Sequence, residues 1–152
     1  HCGKNLLWIK RARETSKGLW TFPYGFLESG ESLQAGDARE LKEETGIEVE
    51  PARLVPYGIA SLIVMNQVYL VFRYPSECEI AGCATLEVED WGWFAEENAP
   101  WSDLAFPEAA RQVRQTYNYL RAGAFPIHVG EVHSDGKYTR HYLMNNDLPV
   151  EE

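Results

Sequence analysis

One stretch of the chain, from Gly25 to Ile47, constrains the fold and the function more than any other. It reads GFLESGESLQAGDARELKEETGI and predicts a tight loop that leads into a short helix. Ser32 has the side chain of a good N-cap, and Gly46 is well placed to end the helix in the left-handed conformation. The stretch therefore predicts a well-defined loop–helix unit rather than an extended segment.

Three glutamates crowd the C-terminal half of this predicted helix. Glu40, Glu43 and Glu44 are spaced i, i+3 and i+4, so they share one face. Like charges repel there, and the helix dipole favours cations at that end. A solvated acidic face is one interpretation. The other interpretation is a functional site, because residues that are locally unfavourable for stability are often found at such sites. Carboxylate oxygens suit Mg²⁺ or Mn²⁺, which commonly bind together with substrate phosphates.

The spacing of the whole stretch resembles the Nudix box, G-x5-E-x7-R-E-U-x-E-E-x-G-U. Gly25 is followed after five residues by Glu31, and after seven more by the run from Arg39 to Ile47. Every specified position of the pattern is matched, so the chain is similar to the Nudix hydrolase family. This resemblance implies an α/β fold, a Nudix-type α/β/α sandwich with a mixed β-sheet between helices.

The resemblance also implies which residues hold metal. Glu40 and Glu44 match the principal metal-binding carboxylates of the family, and Glu43 matches a further ligand. The backbone carbonyl before the first glycine of the box is another family ligand, and Tyr24 stands at that position. Many family members have a glycine there. A backbone carbonyl survives a change of side chain, so Tyr24 remains a candidate ligand, although its ring changes the pocket mouth.

Further residues are candidates for catalysis. The resemblance implies that Arg39 orients a box glutamate and that Glu31 pairs locally to fix the loop. The general base varies within the family between a box glutamate and an acid from a later loop. Glu40, Glu87 and Glu89 are therefore all candidates, and the alternative for the last two is an ordinary loop charge.

Four residues near the predicted loop are candidates for substrate binding. Arg11 and Arg13 lie where they could contact phosphates, or they could be ordinary surface charges. The stretch Trp20–Phe26 is dense in aromatic residues, most of which we expect in the core. Tyr24 and Phe26 are the rings we expect at the pocket.

The implied reaction is hydrolysis of a nucleoside diphosphate linked to another moiety, giving a nucleoside monophosphate and a phosphorylated product. Segments 20–26, 67–73 and 99–107 resemble a Nudix branch of ADP-ribose and dinucleotide pyrophosphatases, so ADP-ribose, FAD or a similar compound is the expected substrate. One alternative is an oxidised nucleoside triphosphate of the 8-oxo-dGTP type. Another is a nucleotide sensor without catalysis, which the intact box disfavours.

Charge and cysteine usage restrict the partners and the compartment. The formal net charge is −9, which disfavours nonspecific binding of nucleic acid and leaves a small-molecule nucleotide as the expected ligand. The cysteine count of three is odd, which favours a reducing cytoplasm. The sequence contains neither a signal peptide nor an apolar span, so we expect no membrane partner. Family members often form dimers that complete the pocket, so a homodimer is a further expectation.

The length of 152 residues suits a single domain, here a Nudix domain over residues 1–152. The family's first strand has no counterpart before Leu6, and we expect a hairpin tail at about residues 125–145. We further expect the segment 67–72 to be a central strand, and Glu131 to face Arg140 in the hairpin. The predicted strands are 6–11, 57–64, 68–74 and 86–94, and the predicted helix beyond the box is 107–121.

Overall fold

Runs of β-branched and aromatic residues form strands close to the positions that their composition predicts. A computed structural model describes residues 1–133 and 138–144, with the backbone alone for Val64 and for 138–144. Its strands and helices are β1 (Leu6–Arg11), β2 (Trp20–Thr21), α1 (Leu33–Thr45), β3 (Val55–Leu62), β4 (Gln67–Arg73), β5 (Val88–Phe94), α2 (Ala110–Ala122), β6 (Ile127–Val132) and β7 (Tyr138–Met144).

The chain divides into two units, each discontinuous in sequence. One comprises residues 1–54 and 74–110, and the other comprises residues 55–73 and the chain from Arg111 onward. All candidate site residues predicted from the sequence belong to the first unit. The prediction of one domain over residues 1–152 stays a prediction.

The first unit is built on an antiparallel sheet of three strands in the order β2-β1-β5. In strand β1 the neighbouring residues Trp8 and Ile9 are both almost fully buried, so the strand is covered on both faces at this point. The Trp8 ring packs against Phe22 at 4.6 Å and edge-on against Trp101 at 5.6 Å, measured between ring centroids. Helix α1 contacts β5 and buries Thr45 completely. This apolar base supports the helix that carries the glutamates.

The second unit contains a mixed sheet in the order β4-β3-β6-β7. Strands β3 and β6 are parallel, and the other two pairs are antiparallel. Helix α2 is joined to this unit by side-chain contacts. The hydroxyls of Tyr57 and Thr116 lie 3.3 Å apart, and the Tyr119 ring packs against Phe125 and His128.

Most element predictions agree with the structure. The strand predicted at 6–11 is confirmed in full, and the strands predicted at 57–64, 68–74 and 86–94 are each shifted or shortened by one or two residues. The predicted helix 107–121 begins as a 3₁₀ turn at Pro107–Ala109 and continues as α2.

Two predictions about strand neighbours are wrong. The segment 67–72 is not central, because β4 is a terminal strand of the described part of its sheet. In the hairpin of β6 and β7, Glu131 is opposite Thr139, and Arg140 is opposite Gly130, because the register shifts at a bulge after Val129. The predicted turn residues 134–137 lie outside the described residues.

Candidate active site

Helix α1 begins and ends at the residues that its sequence predicts. The N–H of Ala35 donates to the Ser32 hydroxyl at 3.2 Å, which satisfies one of the unpaired donors of the first turn. Gly46 adopts a φ of 71° and its N–H donates to the carbonyl of Lys42 at 2.7 Å. These caps place Glu40, Glu43 and Glu44 in the last two turns of the helix.

Glu44 is the buried member of the three glutamates, with 6% of its surface exposed. Its Oε2 accepts a hydrogen bond of 3.0 Å from the N–H of Tyr24. Burial raises the pKa of Glu44 to about 8, against the opposing effect of the Tyr24 hydrogen bond. The negative charges of Glu40 and Glu87 also contribute to this rise in the pKa, and the positive charge of Arg11 opposes it. Glu44 is therefore a carboxylate whose charge is poorly compensated by the protein itself.

The guanidinium group of Arg39 donates hydrogen bonds to three acids of the stretch, Glu31, Glu40 and Glu43. Its Nε and one terminal nitrogen donate to the two oxygens of Glu31 at 3.1 and 2.8 Å. The other terminal nitrogen donates to Glu40 at 2.9 Å and to Glu43 at 3.1 Å. These hydrogen bonds from Arg39 are the main reason that the pKa of Glu31 lies below its usual value.

The loop before the helix is held through its backbone. The carbonyl of Phe26 accepts from Arg39 at 2.9 Å, and its N–H donates to Glu40 at 3.2 Å. The N–H of Glu28 donates to Glu31 at 2.6 Å. A Cβ built on Gly25 would overlap the carboxylate carbon of Glu40. Gly25 is therefore required for space, because the loop backbone passes directly over this carboxylate.

The residues of this site fit a divalent cation. Within the part of the chain that the structure describes, no three His, Cys, Asp or Glu side chains converge as a finished metal site. Two of the three helix glutamates instead face Arg39, while Glu44 faces the N–H of Tyr24. The buried and poorly compensated charge of Glu44 is the observation that favours a cation, since carboxylate oxygens are the ligands that Mg²⁺ and Mn²⁺ prefer.

The two loop acids differ in their surroundings. Glu87 pairs with Arg13 at 2.6 Å, and its charge acts on Glu44. Glu89 pairs with Lys10 at 2.8 Å, and this hydrogen bond is the main cause of the raised pKa of Lys10. Glu87 therefore lies within electrostatic reach of the buried glutamate.

Arg11 lies among aromatic side chains. One terminal nitrogen donates to the Tyr24 hydroxyl, and its Nε donates to the carbonyl of Thr15 at 3.1 Å. The guanidinium carbon lies 5.6 Å from the centroid of the Tyr24 ring and 5.9 Å from that of Phe106. The second of the two rings predicted at the pocket, Phe26, is 71% exposed. Its side chain is therefore available to a ligand. The other three rings of the stretch, at Trp20, Phe22 and Tyr24, are half-buried rather than fully in the core.

Sequence reasoning did not single out Phe106 or Thr85 as site residues. Phe106 belongs to the segment 99–107 that resembles one Nudix branch, and this resemblance was a weak signal for it. Thr85 carries no motif, and only its contacts reveal it: its hydroxyl donates to the carbonyl of Glu44 at 3.0 Å.

Comparisons with known proteins identify the family. The NUDIX domain model matches residues 2–117. The crystal structure of a NUDIX hydrolase from Nitrosomonas europaea is similar with a TM-score of 0.78 and 30% identity, covering 87% of this chain and 73% of that one. The chain belongs to the Nudix family, whose hydrolases act on phosphorus-containing anhydrides, and the predicted α/β Nudix fold is confirmed.

Two curated relatives carry more specific names. The NAD-capped RNA hydrolase NudC of Vibrio vulnificus is 34% identical over 100 residues, which is 64% of this chain and 36% of that protein. The ADP-ribose pyrophosphatase of Methanocaldococcus jannaschii is 45% identical over 42 residues, 28% of this chain and 25% of that protein. The chain thus spans about a third of the one relative and a quarter of the other.

Proposed function

We propose that this chain is a metal-dependent pyrophosphohydrolase that cleaves a nucleoside diphosphate linked to another moiety, such as ADP-ribose or FAD. Water adds across the phosphoanhydride: an oxygen–phosphorus bond forms, the bridging P–O bond breaks, and the products are a nucleoside monophosphate and a phosphorylated fragment. The observation that carries this proposal is the buried Glu44 carboxylate beside Glu40 in a complete Nudix box. The name of the archaeal relative supports the choice of ADP-ribose.

Glu40, Glu43 and Glu44, with the carbonyl of Tyr24, would hold Mg²⁺ or Mn²⁺. Such an ion, when bound, neutralises phosphate charge and acidifies water. The family generally uses divalent metals. Arg39 would keep Glu40 and Glu43 in place through its three-way pairing with the box acids. Glu31 in turn holds Arg39 through two hydrogen bonds.

Glu87 is the candidate general base that the contacts favour among the loop acids. Its charge acts on Glu44, whereas Glu89 is engaged by Lys10 on the neighbouring strand. The Arg13 guanidinium that pairs with Glu87 is 60% exposed, so a substrate phosphate can compete for it. Glu40 remains the alternative base within the box.

Substrate binding would use the charge of Arg11 and the rings around it. Arg11 lies near Glu44, as its effect on that carboxyl shows, and it can take a phosphate oxygen of an anionic ligand. Tyr24, Phe26 and Phe106 offer faces on which a nucleobase can stack. In a protein of net charge −9, such a local cation is needed to attract a nucleotide.

The expected partners are a small-molecule nucleotide and a second copy of the chain, and the expected location is the cytoplasm. These stay predictions, as does the absence of a nucleic-acid partner. Among the described residues, the structure contains no helix that is both long and apolar enough to cross a bilayer.

A substrate panel tests the proposal. The purified protein is incubated with ADP-ribose, FAD, NADH and 8-oxo-dGTP in Mg²⁺ or Mn²⁺, and products are separated by chromatography. We expect nucleoside monophosphate from at least one diphosphate compound, most of this turnover lost in Glu44→Gln, and turnover kept in Lys42→Gln, a control on the same helix. Cleavage of 8-oxo-dGTP alone would assign the oxidised triphosphate instead. Tight binding of one compound without hydrolysis of any would assign a sensor.

A further inference from the structure

The last carbonyls of helix α1 are capped by the loop that precedes β5. Helix ends leave carbonyl groups without intrahelical donors, and such groups need other partners when they are shielded from water. The N–H of Cys83 donates to the carbonyl of Thr45 at 2.7 Å. The hydroxyl of Thr85 donates to the carbonyl of Glu44 at 3.0 Å. The loop is therefore attached to the backbone of the buried glutamate itself.

The same Thr85 hydroxyl also holds the backbone of Glu87. Its oxygen accepts from the N–H groups of Glu87 and Val88, both at 3.2 Å. A hydroxyl offers one donor and two acceptor positions, and all three are used here. The N–H of Thr85 donates to the carbonyl of Val88 at 2.8 Å, and the carbonyl of Glu87 accepts from Ala12 at 2.8 Å. The backbone of Glu87 is therefore fixed from both sides.

We propose that Thr85 is a positioning residue that sets Glu87 against Glu44 through its single hydroxyl group. One oxygen atom joins the backbone of both acids, so a shift of the loop moves one carboxyl relative to the other. This inference rests on the proposed function, because it assigns Glu87 to the reaction. Thr85 itself touches no reacting atom in this assignment.

Substitutions that keep or remove the hydroxyl provide the first test. Thr85→Val keeps the shape and cannot donate to Glu44, whereas Thr85→Ser keeps the hydroxyl. Ser76→Ala is the matched control, because it removes a loop hydroxyl of the same unit that donates to the Cys78 carbonyl at 2.6 Å. Thr85→Ala is the second variant without a hydroxyl and serves if Thr85→Val fails to fold.

Amide hydrogen exchange on the metal-free protein gives a readout that does not depend on activity. We expect faster exchange across residues 83–90 in Thr85→Val and in Thr85→Ala, and wild-type exchange in Thr85→Ser and Ser76→Ala. Wild-type exchange at Glu87 and Val88 in both variants that lack the hydroxyl would overturn the proposal. The exchange measurement tests the role of the hydroxyl even if the wild-type protein hydrolyses no compound. Absence of hydrolysis would overturn the proposed function instead.

Kinetics on the substrate found in the panel tests the coupling to Glu87. Loss of a group that orients a catalytic residue typically costs about 10- to 100-fold in activity, and we expect a loss of this size in kcat for Thr85→Val, with KM little changed. In the Glu87→Gln background the same substitution should cost less than about twofold, because residues that act as a unit are not additive. If the losses in kcat from the two single substitutions instead multiply in the double variant, Thr85 does not act through Glu87.

Discussion

The backbone N–H of Tyr24 donates a hydrogen bond of 3.0 Å to the carboxylate of Glu44, twenty residues later in the chain. This bond joins the loop of the Nudix box to the last turn of its helix at a buried position. It supplies one donor to a carboxylate that burial otherwise disfavours in its charged form. A bound cation would supply the positive charge that this single neutral donor does not.

Metal binding should therefore stabilise the wild-type protein through Glu44. Adding Mg²⁺ or Mn²⁺ at pH 8 should raise the unfolding temperature, since a ligand that binds the folded state stabilises it by mass action. In Glu44→Gln this rise should be largely lost, while Glu48→Gln, which changes an exposed acid just beyond the helix, should keep it. Differential scanning fluorimetry measures both shifts, and equal shifts in Glu44→Gln and wild type would show that the metal binds elsewhere.

Replacing Arg39 by lysine should cost about 10- to 100-fold in turnover, the usual cost of losing a group that orients metal ligands. Lysine keeps the charge but cannot make the two parallel hydrogen bonds to Glu31 while also reaching Glu40 and Glu43. Arg121→Lys, at an exposed position of α2, is the control and should leave turnover unchanged. Steady-state kinetics measures the turnover of both variants, and full turnover in Arg39→Lys would contradict the positioning role.

Gly25→Ala should displace the Glu40 carboxylate, because the added methyl group would overlap it. We expect weaker Mn²⁺ binding and lower turnover with little change in unfolding temperature, since the glutamate side chain can swing aside. Ser29→Ala, a change in the same loop, is the control. Isothermal titration with Mn²⁺ measures the first effect, and unaltered affinity in Gly25→Ala would mean that Glu40 is not a ligand.

Asp37 gives the protein a pH-dependent stability. Burial, helped by the charge of Glu40, raises its pKa from 3.8 to about 6. A carboxyl whose pKa is raised by folding stabilises the folded state below its ordinary pKa, and that contribution is lost as the pH rises through about 6. Asp37→Asn should thus be more stable than wild type at pH 8, and the difference should shrink towards pH 4. Thermal melts at both values test this, with the exposed Glu97→Gln as control. A constant difference would contradict it.

Phe106 should contribute to substrate binding through Arg11. Removing its ring in Phe106→Leu takes away one of two aromatic faces beside the guanidinium, a contact type worth about 0.5–1 kcal/mol when exposed and more when desolvated. We expect KM to rise by about threefold to tenfold with kcat nearly unchanged. Leu33→Ala, which removes an exposed apolar side chain on α1, should change neither constant. Unchanged KM in Phe106→Leu would remove Phe106 from the site.

The parts of the molecule that local rules govern were predictable from the sequence. Ser32 and Gly46 cap α1 as predicted, and the strand at Leu6–Arg11 has the predicted bounds. The central placement predicted for 67–72 was wrong, because local composition does not encode strand order. A strand rich in apolar residues looks central by its pattern even when it is the last strand of the described sheet.

In the candidate site, too, local features were predictable from the sequence and long-range contacts were not. The spacing of the glutamates placed them in the last turns of one helix, yet it could not show that Glu44 is buried while Glu40 and Glu43 turn to Arg39. Nor could it separate Glu87 from Glu89, since their different partners, Arg13 and Lys10, are far from them in sequence. Long-range contacts of this kind depend on how β1 pairs with β5.

Side chains of helix α1 hold the preceding loop through its main-chain atoms: the N–H of Tyr24, and both the N–H and the carbonyl of Phe26. Main-chain groups are the same whatever side chain they carry. We therefore expect that the side chains at 24 and 26 can be exchanged without loss of these main-chain bonds, so that such changes would act on which ligand the proposed site accepts. A library confined to these two positions is the economical route to altered selectivity in this protein.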